Sequence, residues 1–132
     1  MKVENMFVFA PQLKSAAVVF VFIVFDIVSG LVKAISTHSY ESSVMREGLF
    51  HKLSEIVCLV FGVMCDYALP YMGITLPLPV AQSVAVYIVI MEAGSIIENI
   101  GVMNPALAKY LGNIFAKIKT PETGAESEEN DD

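Results

Sequence analysis

The apolar run Val80 to Met91 passes without interruption into Glu92-Ala-Gly-Ser-Ile-Ile-Glu-Asn-Ile-Gly-Val-Met-Asn-Pro105. A run of this length can enter a bilayer, so two carboxylates and an amide, Glu92, Glu98 and Asn99, fall in or beside a hydrocarbon span. An acid at mid-membrane costs about 2.5–3.5 kcal/mol on insertion scales, which selects for folds that give it partners. On a helix, Glu92, Ser95 and Asn99 stand at i, i+3, i+7 and share one face. Glu98 points elsewhere, beside Gly94 and Gly101. Glu98 and Asn99 are equally compatible with a solvated place at the interface; Glu92, deeper in the run, is the stronger functional candidate.

Two more segments have spanning length. The first runs from Ser15 to about Thr37, and no charge occurs between Ser15 and Phe25. At about 1.5 Å per residue, Asp26 then lies roughly 16 Å in, near the midplane of a ~30 Å core. Asp26, Ser29, Gly30 and Lys33 line one face of this helix. Lys33 can snorkel, whereas Asp26 is too short to do so. If the helix instead ends near Gly30, Asp26 is interfacial. Small and polar faces of this kind are where helices associate in lipid. The second segment, Ile56 to about Ile74, holds a single charge, Asp66, and Pro70 kinks or ends it. Pro77 and Pro79 punctuate a short turn, after which Val80 to about Met103 forms an antiparallel hairpin with it.

Between the first two spans, residues 43–55 have the pattern of an amphipathic helix that Ser42 or Ser43 can cap. Leu49, Phe50, Leu53, Ile56 and Val57 form its stripe; Arg46, Glu47, His51 and Lys52 face away or sit at its margin. It is expected to lie at the membrane surface or to run straight into span two. Asn104-Pro105 reads as a helix start, and residues 105–118 continue as a second amphipathic helix at the interface, with Lys109, Lys117 and Lys119 toward anionic lipid. The basic start resembles a secretory signal, but the run from Ser15 is too long for one and is expected to stay as the first span. An N-out, C-in arrangement puts six basic residues on the cytoplasmic side and leaves only Lys2 and Lys14 outside.

Composition agrees with a membrane class: 55% of the 132 residues are hydrophobic and the mean hydropathy is +0.64. The net charge of −6 comes from the tail, because residues 120–132 hold six acids and no base. That tail is expected to be disordered. The fold class is therefore all-α: a single polytopic domain over 1–119, with spans near 15–37, 56–74 and 80–103 and interfacial helices near 43–55 and 105–118. Cys58 and Cys65, about 10 Å apart along one helix, are too distant for a disulfide. His38 and His51 have no partner at metal spacing. No nucleotide-binding, zinc-protease or thiol-redox motif occurs, so no catalytic residue, metal or cofactor is expected, nor any nucleic-acid partner.

The ordered set Asp26-x-x-Ser-Gly-x-x-Lys-Ala34, Arg46-Glu47-Gly48-Leu-x-x-Lys52, Asp66, Glu92-x-x-Ser-Ile-x-Glu-Asn99 and Gly101-x-x-x-Pro105 resembles the small phage holins related to toxin-secretion holins. The resemblance covers about residues 20–106. It implies a protein that accumulates in the bacterial cytoplasmic membrane, forms homo-oligomers and opens timed lesions. An endolysin or toxin then passes, a functional partner rather than a contact, and an antiholin is a further partner. The acidic tail departs from the basic tail common in holins. Met6 offers a second start, but the five residues it removes leave the net charge unchanged. Two other readings share these features: an antiholin or accessory membrane subunit, and a small proton- or cation-coupled transporter using Glu92. Against the transporter stand an odd number of spans and no inverted repeat.

Overall fold

The computed structural model describes residues 3–119, with side chains from 12 to 118; the acidic tail lies outside the described residues. The described chain is helical: α1 (Val3–Ser36), α2 (Ser42–Ala68), α3 (Val80–Met103) and α4 (Pro105–Lys119). Three segments are long and apolar enough to cross a membrane: Gln12–Ser36, Ser42–Met72 and Val80–Met103.

Local chemistry explains each break. α1 ends in a Schellman motif, with His38 in the left-handed region (φ 53°), its amide on Ile35 at 3.3 Å and the Ser39 amide on Ala34 at 3.0 Å. α2 begins at Ser42 after Glu41, and no side chain caps it, so neither serine takes the expected role. From Ser42 to Ala68 the helix is continuous, joining the amphipathic stretch to the apolar one. Pro70 then stands in a single 3₁₀ turn, Leu69–Met72, which Gly73 closes at φ 74°. The Asn104 carboxamide accepts from the Leu107 amide at 3.1 Å, so Asn104-Pro105 starts α4 as its sequence predicts.

α3 is the central element: it packs on α1, α2 and α4, whereas α1 and α2 touch little. Short links make successive spans antiparallel, so α1 and α3 run the same way. Val19 and Ile23 of α1, Leu59 of α2, and Ala81, Ala85 and Ile88 of α3 form the apolar core. Small residues set its closeness: a Cβ on Gly62 would stand 3.0 Å from the Ala81 Cα. Most large apolar side chains point outward, as expected where the surrounding solvent is lipid. α4 brings Leu111, Ile114 and Phe115 toward Phe22, Phe25 and Ile96 across a groove of about 360 Å³. Part of its apolar stripe thus faces α1 and α3.

Candidate functional site

Glu92 lies at the middle of the 24-residue α3, and its side chain is 1% exposed. A helix of that length is about 36 Å long, so the carboxylate sits roughly at the midplane of a bilayer. Its partner is Lys52 of α2, whose ammonium group donates to both Glu92 oxygens, with Oε2 at 2.5 Å. The same ammonium is 2.8 Å from Asp26 Oδ2 on α1. One cation therefore joins all three spans at mid-depth.

An amide completes the set. Asn99 Nδ2 donates to Asp26 Oδ1 at 3.2 Å and to Ser29 Oγ at 3.0 Å. Ser29 Oγ in turn donates to the Asp26 carbonyl at 3.0 Å. Gly30 lies against this set: a Cβ there would stand 3.5 Å from Asn99 Nδ2, an ordinary van der Waals contact. Asp26, Ser29, Glu92 and Asn99 are all buried. Burying charge is tolerable only when it is paired and hydrogen-bonded, and here each carboxylate is. Glu55, one turn beyond Lys52, adds a third acid nearby: its Oε1 is 3.2 Å from His51 Nδ1, and its buried Oε2 finds no hydrogen-bond donor among the described residues.

A cavity of about 380 Å³ runs between α1 and α2 from the Ser39–Glu41 loop to this cluster. Asp26, Lys33, Lys52, Ser95 and Asn99 line it, as do Gly30 and Gly48. The cluster is thus closed toward the apolar core and approached from the loop end.

The sequence-predicted residues separate into three groups. Asp26, Ser29, Gly30, Glu92 and Asn99 meet in the cluster, and Lys33 and Ser95 border it through the cavity. Asp66 lies apart, at the far end of the α2–α3 hairpin, where its carboxylate accepts from the Val80 amide at 2.5 Å and the Ala81 amide at 2.9 Å. It caps α3 from a neighbouring helix, where a negative charge also meets the positive end of the dipole. Arg46, Glu47 and Glu98 are exposed. Lys52, expected to face away from the apolar stripe or sit at its margin, points into the bundle instead, because α2 runs straight into span two and carries it to the level of Glu92. Glu55 was missed altogether. One signal for both was available: in an antiparallel hairpin, residues at similar distances from the turn face each other. Among the described residues, no three His, Cys, Asp or Glu side chains group as a metal site.

A model of the bacteriophage holin family matches residues 6–120. The chain belongs to the bacteriophage holin family. The match takes in all three spans of this holin, the charged cluster and α4. No curated protein and no solved structure matches it significantly. Family membership and three spanning-length helices make this holin a multi-pass protein of the inner membrane.

Proposed function

We propose that this holin accumulates in the cytoplasmic membrane, oligomerises, and opens lesions at a set time. An endolysin or toxin then crosses, and the host cell lyses. The observation that carries the reading is the Asp26–Lys52–Glu92 cluster at mid-depth, in a chain of the holin family. In a lone subunit these charges satisfy one another, and the outer surface is largely apolar. The chain can therefore reside in lipid without opening it. Three helices enclose too little space for a protein to pass, so a lesion needs many copies. When a lesion forms, the cluster supplies a polar surface that water can wet, reached first through the α1–α2 cavity. The basic residues favour N-out, C-in, which places that cavity on the cytoplasmic side. The role is non-enzymatic: the side chains supply hydration and packing, and the hydrolysis belongs to the released enzyme.

The test is induced expression in bacteria with and without a cytoplasmic muralytic enzyme, following membrane potential and optical density. Expression alone should depolarise the cells, and lysis should require the enzyme. Continued growth at full potential and high expression would assign the chain to the restraining, antiholin role.

A further inference from the structure

The α2–α3 groove on the side away from α1 holds a cavity of about 450 Å³. Its walls carry His51, Ser54, Cys58, Ser83, Tyr87 and Met91. Ser54 and Ser83 donate to carbonyls of their own helices and His51 meets Glu55, while lipid chains offer no partner to the Tyr87 hydroxyl. On α3 the exposed stripe continues from Tyr87 and Met91 past Gly94 to Glu98, at i, i+4, i+7, i+11. Apart from its own stretch of helix backbone, no atom of the described residues lies within 4 Å of a Cβ built on Gly94, so the stripe has a notch there. Glu98 makes no ion pair among the described residues, although it stands within a spanning helix.

A matching cation stands on another exposed face, the back of α2. Arg46 leads a second exposed stripe down the back of α2, followed by Phe50, Leu53 and Val57. It too is unpaired among the described residues. The register fixes its depth. Lys52 and Glu92 are in contact, α2 and α3 are antiparallel, and stepping six residues toward the loop end from each reaches Arg46 and Glu98. The two charges are therefore level in the membrane, yet they face different sides of one subunit. Copies inserted the same way up hold them at the same depth.

We propose that adjacent copies of this holin join head to tail: the Arg46–Phe50–Leu53–Val57 face of one copy seats in the α2–α3 groove of the next, and Arg46 pairs with Glu98. The contact rests on the oligomeric reading above and names its surfaces. A two-fold contact through the groove would instead set Glu98 against Glu98, and like charges at close range repel. A head-to-tail contact leaves one free face and one free groove on every open assembly, so it either closes into a ring or extends. Phe50 and Leu53 supply the apolar bulk for the groove, and the Gly94 notch lets the backbones approach.

The experiment is charge exchange in the full chain. Arg46→Glu, Glu98→Arg and the double exchange are expressed beside the wild type. Cross-linked dimer is measured in isolated membranes, with lysis time in the presence of a muralytic enzyme. Each single reversal should lose about tenfold or more of the dimer, the scale of a close interfacial charge pair, and delay lysis. The double exchange should restore both. The neutral set, Arg46→Gln, Glu98→Gln and their combination, tests the same pairing should a reversed charge impair insertion: the double should be no worse than either single. Wild-type dimer from the single reversals overturns the contact, as does a double exchange no better than the singles. A wild-type chain that remains monomeric overturns the contact together with the oligomeric reading.

Discussion

Lys52 serves two carboxylates with one ammonium group, and on the Asp26 side the Asn99 amide also donates. Removing the cation leaves Asp26 and Glu92 facing each other in a low-dielectric interior. Lys52→Met should therefore destabilise the bundle by about 3–5 kcal/mol, the cost of breaking a buried pair. Unfolding in detergent micelles measures it. Replacing the whole set with apolar residues, as Asp26→Leu, Lys52→Met and Glu92→Leu together, should recover most of that loss, since apolar packing can match a buried ion network. If the charges serve to wet a lesion, this triple variant inserts and remains folded but does not lyse cells. Lysis on schedule would reduce the cluster to a packing device. Asp26 and Glu92 were legible in the sequence, because a carboxylate in an oily run stands out. Lys52 was not: the bond it makes spans forty residues of chain, and its neighbours Arg46, Glu47 and His51 read as an ordinary solvated face.

At the level of helices, α2 and α3 are joined by two devices at one end. Asp66 accepts both leading amides of α3, and Gly62 lets the Ala81 backbone approach. Asp66→Ala should cost about 1.5–3 kcal/mol, the range for hydrogen bonds to a charged group, and should speed hydrogen exchange at Val80 and Ala81. Gly62→Val should cost about 1–3 kcal/mol, because the contact it meets is backbone and cannot rotate away. In the same micelle unfolding assay, Gly48→Ala, with no neighbour within 4 Å, should be nearly neutral. Helix types and the hairpin follow from periodicity and from the prolines. That Ser42–Ala68 is one helix did not follow, because the change from an amphipathic to a fully apolar pattern near Ile56 looks the same whether the helix bends there or continues. The capping role of Asp66 likewise did not follow, since a cap supplied by another helix has no local spacing.

At the scale of the molecule, α3 is the shared partner and the α1–α2 side is the open one, with the cavity between them. The N-out arrangement proposed from the basic residues would put the loop at 39–41 in the cytoplasm. With Cys58 and Cys65 replaced by serine, Tyr40→Cys should escape an impermeant thiol reagent in intact cells and react after permeabilisation. Labelling in intact cells would reverse the topology. The three-span plan was legible because hydropathy alone reports it; the pairing of spans was not, because every lipid-facing apolar side looks alike in sequence.

The central place of α3 also bears on the order in which the chain is made. Synthesis delivers α1 and α2 first. At that stage Asp26 and Lys52, 2.8 Å apart in the finished fold, can already neutralise each other, so the nascent hairpin enters lipid with its deepest charges balanced. Asp66 is also in place before Val80 and Ala81 emerge. The last span therefore arrives at a berth prepared at two levels: an acceptor waiting for its first amides, and at mid-depth an ammonium waiting for Glu92.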